Sequence, residues 1–144
     1  MNSKTVNQAP LMQLATSRNN QPWVCTVYFV ALGGKFYWLS YPERRHSEEA
    51  TDNPHAAIAI AVKQDLPVIG IQAEGDVSVI TNIAEATKVL ALYVKKYGAG
   101  KKFVELLKRG SNHHQLYCFT PRRVVLFDET QTTQKPYREI VLDD

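Results

Sequence analysis

Between Leu11 and Ile80 the chain is a succession of short, β-rich segments, each cut off by turn-forming residues. Leu11 to Ser17 reads as a first strand, followed by the turn material Ser17-Arg18-Asn19-Asn20-Gln21-Pro22. Trp23 to Leu32, rich in Val, Thr, Tyr and Phe, reads as a second strand. Gly33-Gly34 then makes a tight hairpin into a third strand, Lys35 to Ser40. A short helix is predicted over Glu43 to Thr51, ending at Asn53-Pro54, because the residue before a proline is pushed out of helical geometry. His55 to Val62 is apolar throughout and reads as a strand buried on both faces. Asp65-Leu66-Pro67 turns the chain into a long strand, Val68 to Ile80, where Gly75 marks a bulge or a sharp bend.

The period then changes. Asn82 with Glu85 three residues on resembles a capping box, and Ala86, Val89, Leu90, Tyr93 and Tyr97 follow helical spacing up to a terminating Gly98. A shorter helix is predicted next, with Phe103, Leu106 and Leu107 on one face and Gly110 after it. Gln115 to Phe119 and Arg122 to Glu129 read as two last strands around a Thr-Pro turn. The expected fold is mainly β with a few helices: a closed or split antiparallel barrel, which removes the edges an open sheet must protect. The 144 residues suit one domain, with residues 1–10 and 130–144 expected to be peripheral.

No apolar run is long enough to span a bilayer, and Met1 to Pro10 lacks an apolar signal core, so a cytoplasmic protein with no membrane partner is expected. Cys25 and Cys118 sit in apolar, strand-like runs and read as buried reduced thiols. The net charge of +3 is small, but Lys88 to Arg123 holds nine Lys or Arg against Glu105 alone. That basic face can attract an anion. It lacks interleaved stacking aromatics and any known reading motif, so no specific nucleic-acid partner is expected.

The segment with chemical character is Ser40-Tyr41-Pro42-Glu43-Arg44-Arg45-His46-Ser47, where a strand runs into a helix. Free N–H groups at a helix start favour an anion, arginine adds a fork for phosphate oxygens, and serine adds a hydroxyl. A surface cluster pairing with Glu43, Glu48 and Glu49 explains the same residues equally well. Alternation places Val24, Thr26 and Tyr28 on one face of their strand, and Cys25, Val27 and Phe29 on the other. Phe36, Trp38 and Ser40 share a face of the next strand. That strip suits a planar ring with a phosphate tail; plain core packing is the commoner fate of such aromatics. His113-His114 lacks accompanying ligands for a metal, and His55 after Pro54 reads as structural.

The order Leu14-Ala15-Thr16, Pro22-Trp23-Val24, Gly34-Lys35-Phe36-Tyr37-Trp38 resembles the opening of the pyridoxamine 5'-phosphate oxidase-like FMN-binding split barrels. Arg45-His46-Ser47, followed by Asn53-Pro54-His55-Ala56-Ala57, is similar to that family's phosphate-binding turn, helix and next strand. Gly70-Ile71-Gln72-Ala73-Glu74-Gly75 resembles the strand after it. The family often has serine before the basic pair, where this chain has Arg44. The resemblance implies a homodimer with FMN at the subunit interface. Cys25, Thr26 and Val27 with Trp38, Leu39 and Ser40 would line the flavin. Arg45, His46 and Ser47 would hold its phosphate, and Gln72 would face the ring edge. No acid, base or nucleophile is assigned a catalytic role. The expected function is a flavin-dependent oxidoreductase using a small-molecule substrate or reductant; the alternative is a binding or storage module for flavin or haem. Related barrels also bind deazaflavin.

Overall fold

The computed structural model describes residues 1–98, 114–131 and 136–144. In chain order the elements are α1 (Ser3–Val6), β1 (Met12–Arg18), β2 (Gln21–Val27), β3 (Val30–Leu32), β4 (Lys35–Ser40), α2 (Arg45–Asp52), β5 (His55–Lys63), β6 (Ile69–Val79), α3 (Ile83–Tyr97), β7 (Gln115–Asp128) and β8 (Tyr137–Ile140). The strands form one antiparallel eight-stranded sheet in the order β2-β1-β5-β6-β7-β4-β3, with β8 also on β7. The long strand β7 is why the sheet can divide: its first half pairs with β4, its second with β8, and β6 runs along its other edge. The predicted helix carrying Phe103, Leu106, Leu107 and Gly110 lies outside the described residues, as does His113.

Alternation decides what fills the interior. Met12 and Leu14, Phe36 and Trp38, Ile58 and Ile60, Ile71 and Ala73, Tyr117 and Phe119 all point inward to one core. A second, smaller core forms where Val89 and Tyr93 of α3 cover Val30, Tyr37, Leu116 and Cys118 on the opposite face. The capping expected for α3 is present: the Asn82 side chain accepts from the Glu85 N–H at 2.9 Å, and Gly98 ends the helix at φ +63°.

Four details differ from the sequence expectation. The segment Trp23 to Leu32 is two strands, because Phe29 leaves the ladder. Its N–H donates to the Tyr97 hydroxyl at 2.9 Å and its carbonyl accepts from Lys96 Nζ at 2.7 Å, so α3 replaces the lost strand partners. The last two strands are one, since β7 passes through Pro121 at a bulge instead of turning. Gly75 is the residue opposite: a methyl there would stand against the Thr120 carbonyl and 2.8 Å from the Pro121 Cα. β5 is not buried on both faces; Ala59 and Ala61 are exposed on one side while Ile58 and Ile60 are buried on the other. The chain ends are also built in. Val6 and Ala9 are buried, the Asn7 side chain bonds both the N–H and the carbonyl of Ala31, and Asn2 bridges to Asp143.

Among the described residues no helix is long and apolar enough to cross a membrane.

Candidate functional site

β4 ends at Ser40, and the chain enters α2 through Arg44, whose backbone is extended at φ −67° and ψ 144°. No side chain caps this helix; the Ser47 and Glu48 N–H groups bond back to the Arg44 carbonyl at 2.9 and 3.0 Å, and the Arg45 and His46 N–H groups precede them in the uncapped first turn. The helix lays Ser47, Glu49 and Ala50 against the barrel. The Ser47 hydroxyl is a buried polar atom with no hydrogen-bond partner among the described residues, in a residue only 2% exposed.

The basic residues play unequal parts. Arg45 Nε donates to Glu49 Oε2 at 2.7 Å, and its guanidinium lies 4.1 Å from the centre of the Trp23 ring. This i,i+4 pair carries the charge along the helix, away from its N-terminus. Glu49 is 3% exposed and also accepts from Thr16 Oγ1 at 3.0 Å. The Arg45 bond holds its carboxyl below the usual range, against the burial that raises it. His46 Nε2 lies 2.8 Å from the buried Ser40 hydroxyl. Burial, aided by the Arg44 charge, pulls the ring below its ordinary pKa and so favours its neutral form. The expected basic pair, Arg45 and His46, is thus an arginine anchored to Glu49 and an imidazole bonded to Ser40. Arg44 is the exposed cation: it lies 5.4 Å from the Tyr41 ring centre and makes no ion pair among the described residues. Tyr41 in turn stacks on His114 at 4.0 Å.

The proposed flavin-lining strip does not form one surface. Trp38 is 1% exposed and stacks on Tyr117 inside the barrel, with ring centres 5.9 Å apart. Cys25 and Val27 point into that same interior. Leu39 faces the opposite way and packs against the small core under α3. The strand alternation that groups these four turns their side chains into the barrel or under the helix.

Thr26 and Gln72 do share a face. The strand register runs Thr26, Gln13, Ala59, Gln72, Val125 in one row across the outer sheet. The next row is Val24, Ala15, Ala57, Glu74, Arg123. Thr26 Oγ1 donates to Gln13 Oε1 at 2.8 Å. A shallow groove of about 220 Å³ lies over Ala57, Gln72, Glu74, Arg123 and Val125. Gln13 is the member sequence reasoning missed; its only signal was its alternation with Leu14, which needs the register of three strands to become a position. Trp23, under Arg45, stands three residues from Thr26 on β2, roughly 10 Å along the strand. The odd spacing puts the α2 terminus and the outer row on opposite faces of β2, the end strand of the sheet.

Other chemistry is weak. Burial pushes the Cys25 thiol up to about 11 and raises Cys118 as well, which leaves neither as a nucleophile near neutral pH. No cluster of metal ligands occurs among the described residues. His55 Nδ1 is 2.7 Å from Asp76 Oδ1, and Arg122 donates to the other oxygen at 2.6 Å, an exposed ion-pair network at the sheet margin.

Comparison with known proteins agrees with this architecture. The family model described as pyridoxamine 5'-phosphate oxidase matches residues 3–128. General Stress Protein 26 from Bacillus anthracis superposes with a TM-score of 0.68 at 16% identity, covering 96% of this chain and 95% of that one. HutZ, the haem storage protein of Vibrio cholerae, gives 0.66 at 20% identity, over 89% and 95%. A FAD-binding protein from Mesorhizobium loti gives 0.64 at 13% identity, over 84% and 85%. No curated protein sequence matches significantly. These likenesses show the fold, a mainly β split barrel. The chain belongs to the pyridoxamine 5'-phosphate oxidase family.

Proposed function

We propose that the chain binds FMN across a homodimer interface and works as a flavin-dependent oxidoreductase on a small-molecule substrate. The observation that carries the reading is the start of α2: an uncapped helix terminus, an orphan buried Ser47 hydroxyl and an uncommitted Arg44 within one turn of chain. These are the donors a phosphate monoester needs. Arg45, tied to Glu49, fixes the helix against Trp23; the His46 ring, tied to Ser40, fixes the loop before it.

The outer row fits the other end of the ligand, which would reach it past β2, the end strand of the sheet. Thr26, Gln13 and Gln72 offer hydroxyl and amide groups across about three strand spacings, roughly 14 Å, comparable with a tricyclic ring. Alanines at 15, 57 and 59 leave that face low, so a ring or a second sheet can approach closely. A sheet face supplies one wall of a flat site; the homodimer supplies the second, with Tyr28, 61% exposed, and Val24 at its margin. A bound flavin supplies the hydride and electron chemistry, and the protein sets its orientation and access. With no nucleophile or poised acid on this face, transfer of hydride or electrons from a small reductant, such as a nicotinamide, is favoured over group transfer.

The haem storage protein among the structural neighbours supports a second reading, a flavin or haem module without chemistry of its own. The absorbance spectrum of the purified chain separates the readings, followed by mass spectrometry of any released molecule. Flavin bands near neutral pH, and their bleaching by NADH or NADPH with recovery in air, are expected. A Soret band would favour the haem module, and a flavin that no small reductant bleaches faster than free FMN would favour storage.

A further inference from the structure

A mostly apolar cavity of about 680 Å³ lies between α1, β3 and α3. It shares no residue with α2 or the outer rows. Its floor is Val30, Ala31, Leu32 and Leu92, and its rim carries Lys4, Lys95 and Lys96. The single acid on the rim, Asp144, is engaged: its carboxylate accepts from the Gly33 N–H at 2.8 Å and from the Ser3 hydroxyl at 3.4 Å. Asn7 is engaged too, by the backbone of Ala31. Lys4 and Lys95 make no ion pair among the described residues.

Lys96 is held differently from a surface lysine. Its ammonium donates to the Phe29 carbonyl at 2.7 Å and sits 3.6 Å from the centre of the Phe29 ring, on the cavity wall. That leaves donor capacity with no acid partner among the described residues. Burial pulls this ammonium down to about 8, a cost that a bound anion relieves. A volume of this size, mostly apolar with a few convergent polar groups, has the character of a small-molecule site.

We propose that this cleft binds a monocarboxylate with an apolar chain, its head group on Lys96 and Lys95 and its chain along Val30, Leu32 and Leu92. The neutral contacts give the chain its affinity, and the unpaired rim charge selects the carboxylate over an alcohol of the same length.

Decanoate, kept below its micelle concentration, is the probe, and decanol is the neutral control. Calorimetric titration of the full chain should show one saturable decanoate site and weaker decanol binding. Lys96→Met should weaken decanoate about tenfold, the loss of one charge-assisted contact, and leave decanol unchanged. Lys95→Met serves as the second variant if Lys96→Met is not folded by circular dichroism, with loss again confined to decanoate. Leu92→Glu, which puts a carboxylate on the floor, should abolish binding. Equal affinity for decanoate and decanol, no binding of either, or lysine variants that bind decanoate like the native chain would overturn the assignment. Displacement of decanoate by FMN would overturn it as well, because it would place the flavin in this cleft.

Discussion

Trp38 is where a flavin-lining role and a core role make opposite demands. Its ring is 1% exposed and nearly parallel to Tyr117, at 14° and 5.9 Å. Trp38→Ala empties that space, and removing a buried aromatic costs about 3–5 kcal/mol. For a chain of this length each kcal/mol moves Tm by about 2–4 °C, so a drop on the order of 6–20 °C follows. Trp38→Phe is a different experiment. It loses packing, but it also deletes an indole N–H that is buried with no partner among the described residues. Leaving such a donor unpaired costs about 1–3 kcal/mol, so its removal offsets much of the lost contact. The Phe variant should therefore lie within about 1 kcal/mol of the native chain. Urea unfolding followed by circular dichroism measures both variants, and an FMN titration of the folded Phe variant completes the test. Native FMN affinity with an unfolding midpoint near native is the expected result for Trp38→Phe. A Trp38→Ala chain as stable as native that has lost FMN would refute the core assignment.

Three further outcomes follow from the same geometry. Gly75→Ala drives a methyl into the Thr120 and Pro121 backbone at the bulge of β7, and should cost about 1–3 kcal/mol in urea unfolding; a neutral result would mean the bulge relaxes freely. FMN affinity should change little between pH 7 and 8, because burial and the Arg44 charge depress the His46 pKa and so move its titration below this window. An imidazolium gripping phosphate would instead lose affinity as pH rises, so a several-fold weakening by pH 8 contradicts the neutral assignment. Ala59→Glu, on the exposed outer row, should leave folded monomers by light scattering where the native chain forms the proposed homodimer; a variant as dimeric as the native chain would move the proposed interface off this face.

Much of the scaffold was legible because it rests on local rules. The hairpin at Gly33-Gly34, the cap of Asn82 on Glu85 and the stop at Gly98 each depend on residues a few positions apart. What was not legible depends on partners far along the chain. β2 and β3 part because Lys96 and Tyr97, 67 and 68 positions away, take the Phe29 backbone. β7 continues through Pro121 because Gly75 on the neighbouring strand leaves room for its bulge. The site divides the same way. The strand-to-helix segment was found from its arginines and serine, since charge and hydroxyl at a helix start are local signals. Which arginine is free was hidden, because it turns on Glu49 being buried beside Thr16 of β1. The inward turn of Trp38 and the grouping of Thr26 with Gln13 and Gln72 likewise depend on sheet register.

The central claim is that the start of α2 reads a phosphate, and riboflavin, which lacks one, is the direct comparison. Quenching of flavin fluorescence gives both affinities for the native chain and for Arg44→Ser. FMN should bind at least about tenfold more tightly than riboflavin, and Arg44→Ser should remove about that factor for FMN alone, the worth of one charge-assisted contact. Equal binding of FMN and riboflavin by the native chain, or equal loss of both in the variant, would contradict the account.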